Sequence, residues 1–122
     1  MHLGKPTPIL RSFDEAKARE FYVDFLGFTV DWEHRFEPGL PLYMQLSRGD
    51  CVLHLTEHHG DCCPGAGMRI RVNDIDAFHA ELSAKHYGHA RPGIQDMPWG
   101  SRDVSVTDPF GNRLTFTNAI ST

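Results

Sequence analysis

The sequence predicts an α+β protein made of two βαβββ modules. Three observations carry that prediction: a well-marked β-hairpin near the C-terminus, a strand–helix–three-strand order that occurs twice, and landmarks that recur at a nearly constant offset. In the hairpin, Val104 and Val106 alternate with Ser105. Asp108, Pro109, Phe110, Gly111 and Asn112 then form a tight turn, and Leu114 and Phe116 alternate with Arg113, Thr115 and Thr117. Alternation with period two is the pattern of half-buried strands, and proline, glycine and asparagine supply the backbone angles of a tight turn. Asp14 and Asp74 lie 60 residues apart, Gly27 and Gly88 lie 61 apart, and the pairs Gly49-Asp50 and Gly111-Asn112 lie 62 apart. Offsets this regular indicate an internal duplication, of structure more than of residue identity.

Taken in order, residues 6–13 read as a short strand bounded by prolines. Asp14 is a good helix N-cap. After it Ala18, Phe21, Tyr22, Phe25 and Leu26 make one apolar helical face, with Gly27 at the position just past its end. Two strands follow at about 28–36 and 41–48, joined through Glu37, Pro38 and Gly39. A turn at Arg48, Gly49 and Asp50 leads into a strand over 51–57. Residues 58–67 hold glycine, proline and aspartate and read as a linker. Met68, Ile70 and Val72 alternate with Arg69 and Arg71, which makes the next strand. Asp74 caps a second helix with Ile75, Phe78 and Leu82 on its apolar face and Gly88 after its end. A weaker strand near 91–96 precedes the hairpin, with Trp99 held just before it. The modules therefore span about 5–57 and 67–119, joined by a linker at 58–66, in a single domain over 1–122.

A chain of 122 residues is long enough for one compact core, or for two small halves sharing one. Its 40% hydrophobic and 23% charged residues are ordinary for a globular protein. A net charge of −4 argues against non-specific nucleic-acid binding. No apolar run approaches the ~20 residues that span a bilayer, and the N-terminus has no apolar signal-peptide core. The expectation is a cytoplasmic protein with no nucleic-acid or membrane partner. Cys51, Cys62 and Cys63, an odd number with two adjacent, do not look like a disulfide framework.

Two motifs stand on this doubled unit. Phe21, Tyr22, Leu26, Gly27 and Phe28 form F-Y-x-x-x-L-G-F, and Asp108, Pro109, Gly111, Asn112 and Leu114 form D-P-x-G-N-x-L. Together, over essentially the whole chain, they resemble the vicinal oxygen chelate superfamily, which includes glyoxalase I, extradiol dioxygenases and the fosfomycin and bleomycin resistance proteins. Pro98, Trp99 and Gly100 running into the second motif, and Thr7, Pro8, Ile9 and Leu10 in the opening strand, look most like the bleomycin resistance branch. The resemblance implies a half-barrel sheet with a concave cleft. It also implies a homodimer whose cleft is built between subunits, often with the N-terminal strand exchanged. Pro6 and Pro8 would stiffen such an arm, and two half-barrels need a partner to close.

Catalytic members of the superfamily place His and Glu metal ligands on inward faces of four equivalent strands. Carried over by strand phase, those positions fall near Thr7, His54, Gly67 and Thr115. Leu53 and Leu55 are expected to face the helix, leaving Val52, His54 and Thr56 toward the cleft. Only His54 of the four ligates a divalent metal well, whereas catalytic zinc and non-heme iron sites use three protein ligands. A register slip of one residue would bring in Glu57 or His2 but turn the leucines into the cleft. The expectation is no resident metal and no cofactor, with His54 the one weak metal candidate. The donor-rich stretch His58, His59, Asp61, Cys62 and Cys63 lacks paired C-x-x-C spacing and reads as a surface linker.

In the bleomycin resistance branch, aromatic residues grip the flat heteroaromatic tail of the drug. The residues at similar places here are Trp32, Phe36 and Trp99. Trp32 and Phe36 are four residues apart and point to one side of a regular strand. Exposed aromatics stack on planar ligands and bury large area at low entropic cost; the alternative is that they are core or dimer-interface side chains. Arg69, Arg71 and Arg113, with Arg11 as a further candidate, would favour an anionic or carboxylate-bearing ligand, whereas that branch is strongly acidic and suits a cationic drug. The expected ligand-binding residues are thus Trp32, Phe36, His54, Arg69, Arg71, Trp99 and Arg113, with no catalytic residue. The expected function is sequestration of a small aromatic ligand or bleomycin-type antibiotic without chemistry. The alternative is a metal-dependent lyase or dioxygenase with a reduced site at His54 and Glu57.

Overall fold

The computed structural model describes residues 1–88 and 91–119. β1 (Ile9–Arg11) leads to α1 (Glu15–Arg19), which winds without a break into a π-helical segment (Glu20–Phe25). Then come β2 (Thr29–His34), β3 (Tyr43–Arg48), β4 (Cys51–Thr56), β5 (Gly67–Arg71), α2 (Ile75–Ala84), β6 (Ile94–Asp96), β7 (Ser101–Thr107) and β8 (Arg113–Ala119). The strands form two four-stranded sheets, ordered β1-β4-β3-β2 and β5-β8-β7-β6. In each, the first strand runs parallel to the last of its set and the other pairs are antiparallel. The duplicated strand–helix–three-strand order is therefore present, in two compact units, Met1–Pro64 and Gly65–Thr122.

In the first unit the Asp14 carboxylate accepts the Lys17 backbone N–H at 3.0 Å and caps α1. Ala18, Phe21, Tyr22, Phe25 and Leu26 are buried, as their helical spacing requires. The last turn widens because Leu26 N–H donates to the Phe21 carbonyl, five residues back. Leu10, Met44, Leu46, Leu53 and Leu55 complete the core from one face of the sheet, with Met44 and Leu10 both paired to Leu55 and Leu46 to Leu53. Fully burying an aliphatic side chain of this size contributes about 1.5–3 kcal/mol.

Three local expectations change. The strand expected over 6–13 contracts to Ile9–Arg11, since Pro6 and Pro8 have no N–H to give a ladder. Pro8 contributes only its carbonyl, which accepts His54 N–H at 2.9 Å. This strand pairs with β4 of its own chain. The strand expected over 28–36 contracts to Thr29–His34. Phe28 belongs to the helix exit, where its N–H reaches the Tyr22 carbonyl at 2.9 Å, and Phe36 lies beyond the last ladder pair. Within β2 the register shifts between Val30, opposite Leu46, and Trp32, opposite Gln45. This β-bulge turns Trp32 out of the phase set by Phe28 and Val30.

In the second unit the Asp74 carboxylate accepts Ala77 N–H at 3.0 Å, and Ile75, Phe78 and Leu82 are buried. The left-handed residue after α2 is His86, with φ +50°, rather than the expected Gly88. α2 packs on β7 and β8, where Val104, Val106, Leu114 and Phe116 are buried and the Phe78 and Phe116 rings lie 4.5 Å apart. The β7–β8 turn is held by Asp108, whose carboxylate accepts the backbone N–H groups of Phe110 and Asn112 and the Asn112 side-chain amide, at 2.8–2.9 Å. Gly111, at φ +94°, supplies the left-handed step. Asn112 Oδ1 in turn accepts Ala66 N–H, which moors the start of β5 beside β8. The D-P-x-G-N-x-L residues are thus structural: they set where β8 begins and so where Arg113 stands.

Candidate functional site

Strand alternation gives each sheet a face directed away from its buried core, and the two faces carry different chemistry. In the first unit Trp32, Gln45 and His54 lie abreast on β2, β3 and β4. The Trp32 ring is parallel to that of Tyr43, with centroids 5.9 Å apart and 7° between planes, and meets the His54 ring edge-on at 5.3 Å. Trp32 keeps 44% of its surface exposed.

A hydrogen-bond chain holds these rings. Gln45 Nε2 donates to Asp31 Oδ2 at 3.0 Å, because a carboxylate only accepts. That orientation points Gln45 Oε1 at His54 Nε2, 3.0 Å away, so Nε2 carries the proton. His54 Nδ1 is then the acceptor for the Tyr43 hydroxyl at 2.6 Å. Ser47 donates to the other Asp31 oxygen at 2.9 Å. Burial lowers the His54 pKa and raises that of Tyr43, so both groups stay neutral at physiological pH. The bulge is what lets Asp31 and Trp32, adjacent in sequence, serve the same face.

In the second unit the corresponding face is polar. Asp103 is 5% exposed, and its carboxylate accepts from Ser101 Oγ at 2.9 Å, Thr117 Oγ1 at 2.7 Å and Arg69 at 3.2 Å. Burial raises its pKa, but the two hydroxyl bonds and the Arg69 charge outweigh this and hold it below the ordinary carboxylate value. Ser105 and Thr115 hydroxyls bond each other at 3.0 Å. Arg69, Asp103, Ser105 and Thr115, with Trp99 and Arg113, line a pocket of about 430 Å3. Trp99 reaches it from a turn closed by Gly100 N–H on the Met97 carbonyl at 3.0 Å, with Gly100 at φ +95°. This turn leaves Trp99 65% exposed.

The structure thus gathers Trp32 with His54 in one unit, and Arg69, Trp99 and Arg113 in the other. Phe36 does not join the Trp32 cluster: its ring partners are His34 and His58, at 4.8 and 6.0 Å, and it is 73% exposed. Arg71 is exposed but not among the pocket residues. Arg11 donates to the Glu57 carbonyl and lies over the Phe13 ring. Thr56, expected toward the cleft, is fully buried and donates to Asp61. Tyr43, Gln45, Asp31 and Asp103 were not singled out from the sequence. The alternation of Tyr43 and Gln45 with Met44 and Leu46, and of Asp103 with Val104, is the signal that would have found three of them.

The four positions matching the superfamily's metal ligands do not fit a divalent metal. They offer one imidazole, two hydroxyls and a glycine, and both His54 nitrogens are engaged. Leu53 and Leu55 are buried, so the one-residue slip does not occur, and Glu57 Oε1 accepts Leu42 N–H at 2.8 Å. Among the described residues, no group of three or more His, Cys, Asp and Glu side chains is arranged to hold a metal ion.

Compared with known proteins, the chain is 28% identical to the bleomycin resistance protein of Geobacillus stearothermophilus, over 89% of this chain and 92% of that one. It is equally similar to the bleomycin resistance protein of Staphylococcus aureus. Among solved structures it is similar to a bleomycin-binding protein complexed with bleomycin, at TM-score 0.72 and 25% identity, covering 95% of this chain and 98% of that one. It also resembles the bleomycin-binding protein from bleomycin-producing Streptomyces verticillus complexed with copper(II)-bleomycin, at TM-score 0.69 and 27% identity, covering 100% and 99% of the two chains. The family described as glyoxalase superfamily protein matches residues 1–122. The chain belongs to the glyoxalase superfamily, on its bleomycin resistance branch.

Proposed function

We propose that this protein sequesters a small planar ligand of the bleomycin-type antibiotic class without chemistry, acting in the cytoplasm as a homodimer. The observation that carries the proposal is Trp32, stacked flat on Tyr43, itself held by a hydrogen-bond chain, while 44% exposed. Such a ring is pre-positioned to stack on a flat ligand, and little rotamer entropy is lost on binding. Trp99 adds a second exposed indole beside a pocket. The relatives named above include proteins that bind bleomycin. Met1 and Leu3, exposed apolar side chains ahead of β1, suit burial against a second chain. The lyase or dioxygenase alternative is not favoured, because the matching positions lack its ligand set. No helix among the described residues is long and apolar enough to cross a membrane.

The test is a tryptophan-fluorescence titration with metal-free and copper-bound bleomycin and other planar antibiotics, repeated in Trp32→Ala and Trp99→Ala. The expected result is saturable quenching, weakened at least about tenfold in one or both variants, equivalent to about 1.4 kcal/mol. No saturable change with any of these compounds overturns sequestration. Binding undiminished in both variants overturns the aromatic site.

A further inference from the structure

The arginines expected to share one cleft have different surroundings. Arg11 is engaged with Glu57 and Phe13. Arg69 is held by Asp103 at 3.2 Å and by the Thr117 hydroxyl at 3.3 Å. Arg113 lines the same pocket as Trp99 and has no acidic partner among the described residues. Its neighbour across the parallel β5–β8 pair is Gly67, which places no side chain beside it; even a methyl group built there meets nothing within 4 Å. The pocket's three ionisable groups, Arg69, Asp103 and Arg113, sum to one positive charge, and that charge belongs to Arg113. On the pocket wall Ser105 and Thr115 share one hydrogen bond between two hydroxyls, which leaves one hydroxyl hydrogen to donate elsewhere.

We propose that this pocket takes a planar aromatic acid, its ring against Trp99 and its carboxylate on the Arg113 guanidinium, with the Ser105–Thr115 pair as second donor. A guanidinium is a fixed fork of donors that matches a carboxylate in two parallel bonds. The buried Asp103 offsets the charge of Arg69, so Arg113 is the residue that sets the ligand's charge. The inference rests on the sequestration reading and assigns this pocket an anionic planar ligand rather than a cationic one.

Calorimetric titration of the full chain with benzoate, naphthoate and anthracene carboxylate, each beside its uncharged primary amide, tests this in wild type, Arg113→Gln and Arg113→Lys. In wild type the acids are expected to bind at least about tenfold more tightly than the amides, the scale of one charge-assisted hydrogen bond. The preference disappears in Arg113→Gln and is partly kept in Arg113→Lys. Thermal melts of both variants should match wild type, because the Arg113 side chain is exposed. Acids and amides binding equally in wild type, or a preference that survives Arg113→Gln, overturns the assignment while leaving sequestration standing. No binding by any compound of either set, together with no response to bleomycin, overturns both.

Discussion

In the first unit the outward sheet face is covered by Trp32, Tyr43 and His54, whereas in the second it carries Asp103, Arg69, Ser105 and Thr115. The strand order is the same, and so is the parallel pairing of first and last strands. The difference teaches that the duplication constrains the helix-side residues and leaves the other face free. A strand sends alternate side chains to opposite sides, so one set can keep the core while the other diverges into different chemistry. One unit holds its face with a hydrogen-bond chain that ends on an exposed carboxylate, Asp31; the other holds it with a buried carboxylate, Asp103, paired to Arg69.

The cores should behave alike. Leu53→Ala and Leu114→Ala each remove a fully buried side chain, one per unit, and each is expected to cost about 2–5 kcal/mol in denaturant unfolding. A large loss in one and none in the other would break the equivalence of the two cores.

The faces should behave differently. Asp103→Asn removes a buried charge that accepts from three donors, with an expected loss of roughly 2 kcal/mol, on the scale of hydrogen bonds to charged groups. Because the folded Asp103 pKa lies below the ordinary value, its contribution is complete above that ordinary value, near 3.8, and is lost as pH falls through the lower folded one. Urea midpoints between about pH 5 and pH 2 should therefore fall more steeply in wild type than in Asp103→Asn; parallel curves would show that Asp103 is not the group responsible.

Tyr43→Phe deletes one neutral hydrogen bond in the first unit and should cost about 1 kcal/mol, with Trp32 emission shifted as its stacking partner loosens. Unchanged emission and stability would mean that the phenol does not position the stack. The smallest effect concerns His54. Its folded pKa is lowered by burial, so the unfolded chain takes up the proton first, and stability falls as pH drops from about 6.5 toward the folded value. His54→Gln should flatten that window in thermal melts, and an identical slope in the variant would remove His54 as its source.

Much of the fold is legible because it depends on local chemistry. Asp14 and Asp74 cap helices wherever a helix follows, and Asp108, Gly111 and Asn112 close a turn with their own backbone. The site is less legible, since Phe36 falls outside β2 and Arg69 belongs to Asp103, a residue 34 positions away. Neither fact has a local signature.

By itself the sequence determined the order of strands and helices in the two modules, their caps and turns, and the leucines that enter the core. These follow from side-chain period and backbone preference within a few residues. Only the tertiary structure decided that a bulge at Asp31 turns Trp32 outward, that Gln45 orients His54, and that Arg113 rather than Arg69 keeps its charge available. Each of those depends on which strands lie side by side and in what register, and pairing across a sheet joins residues that no local pattern connects.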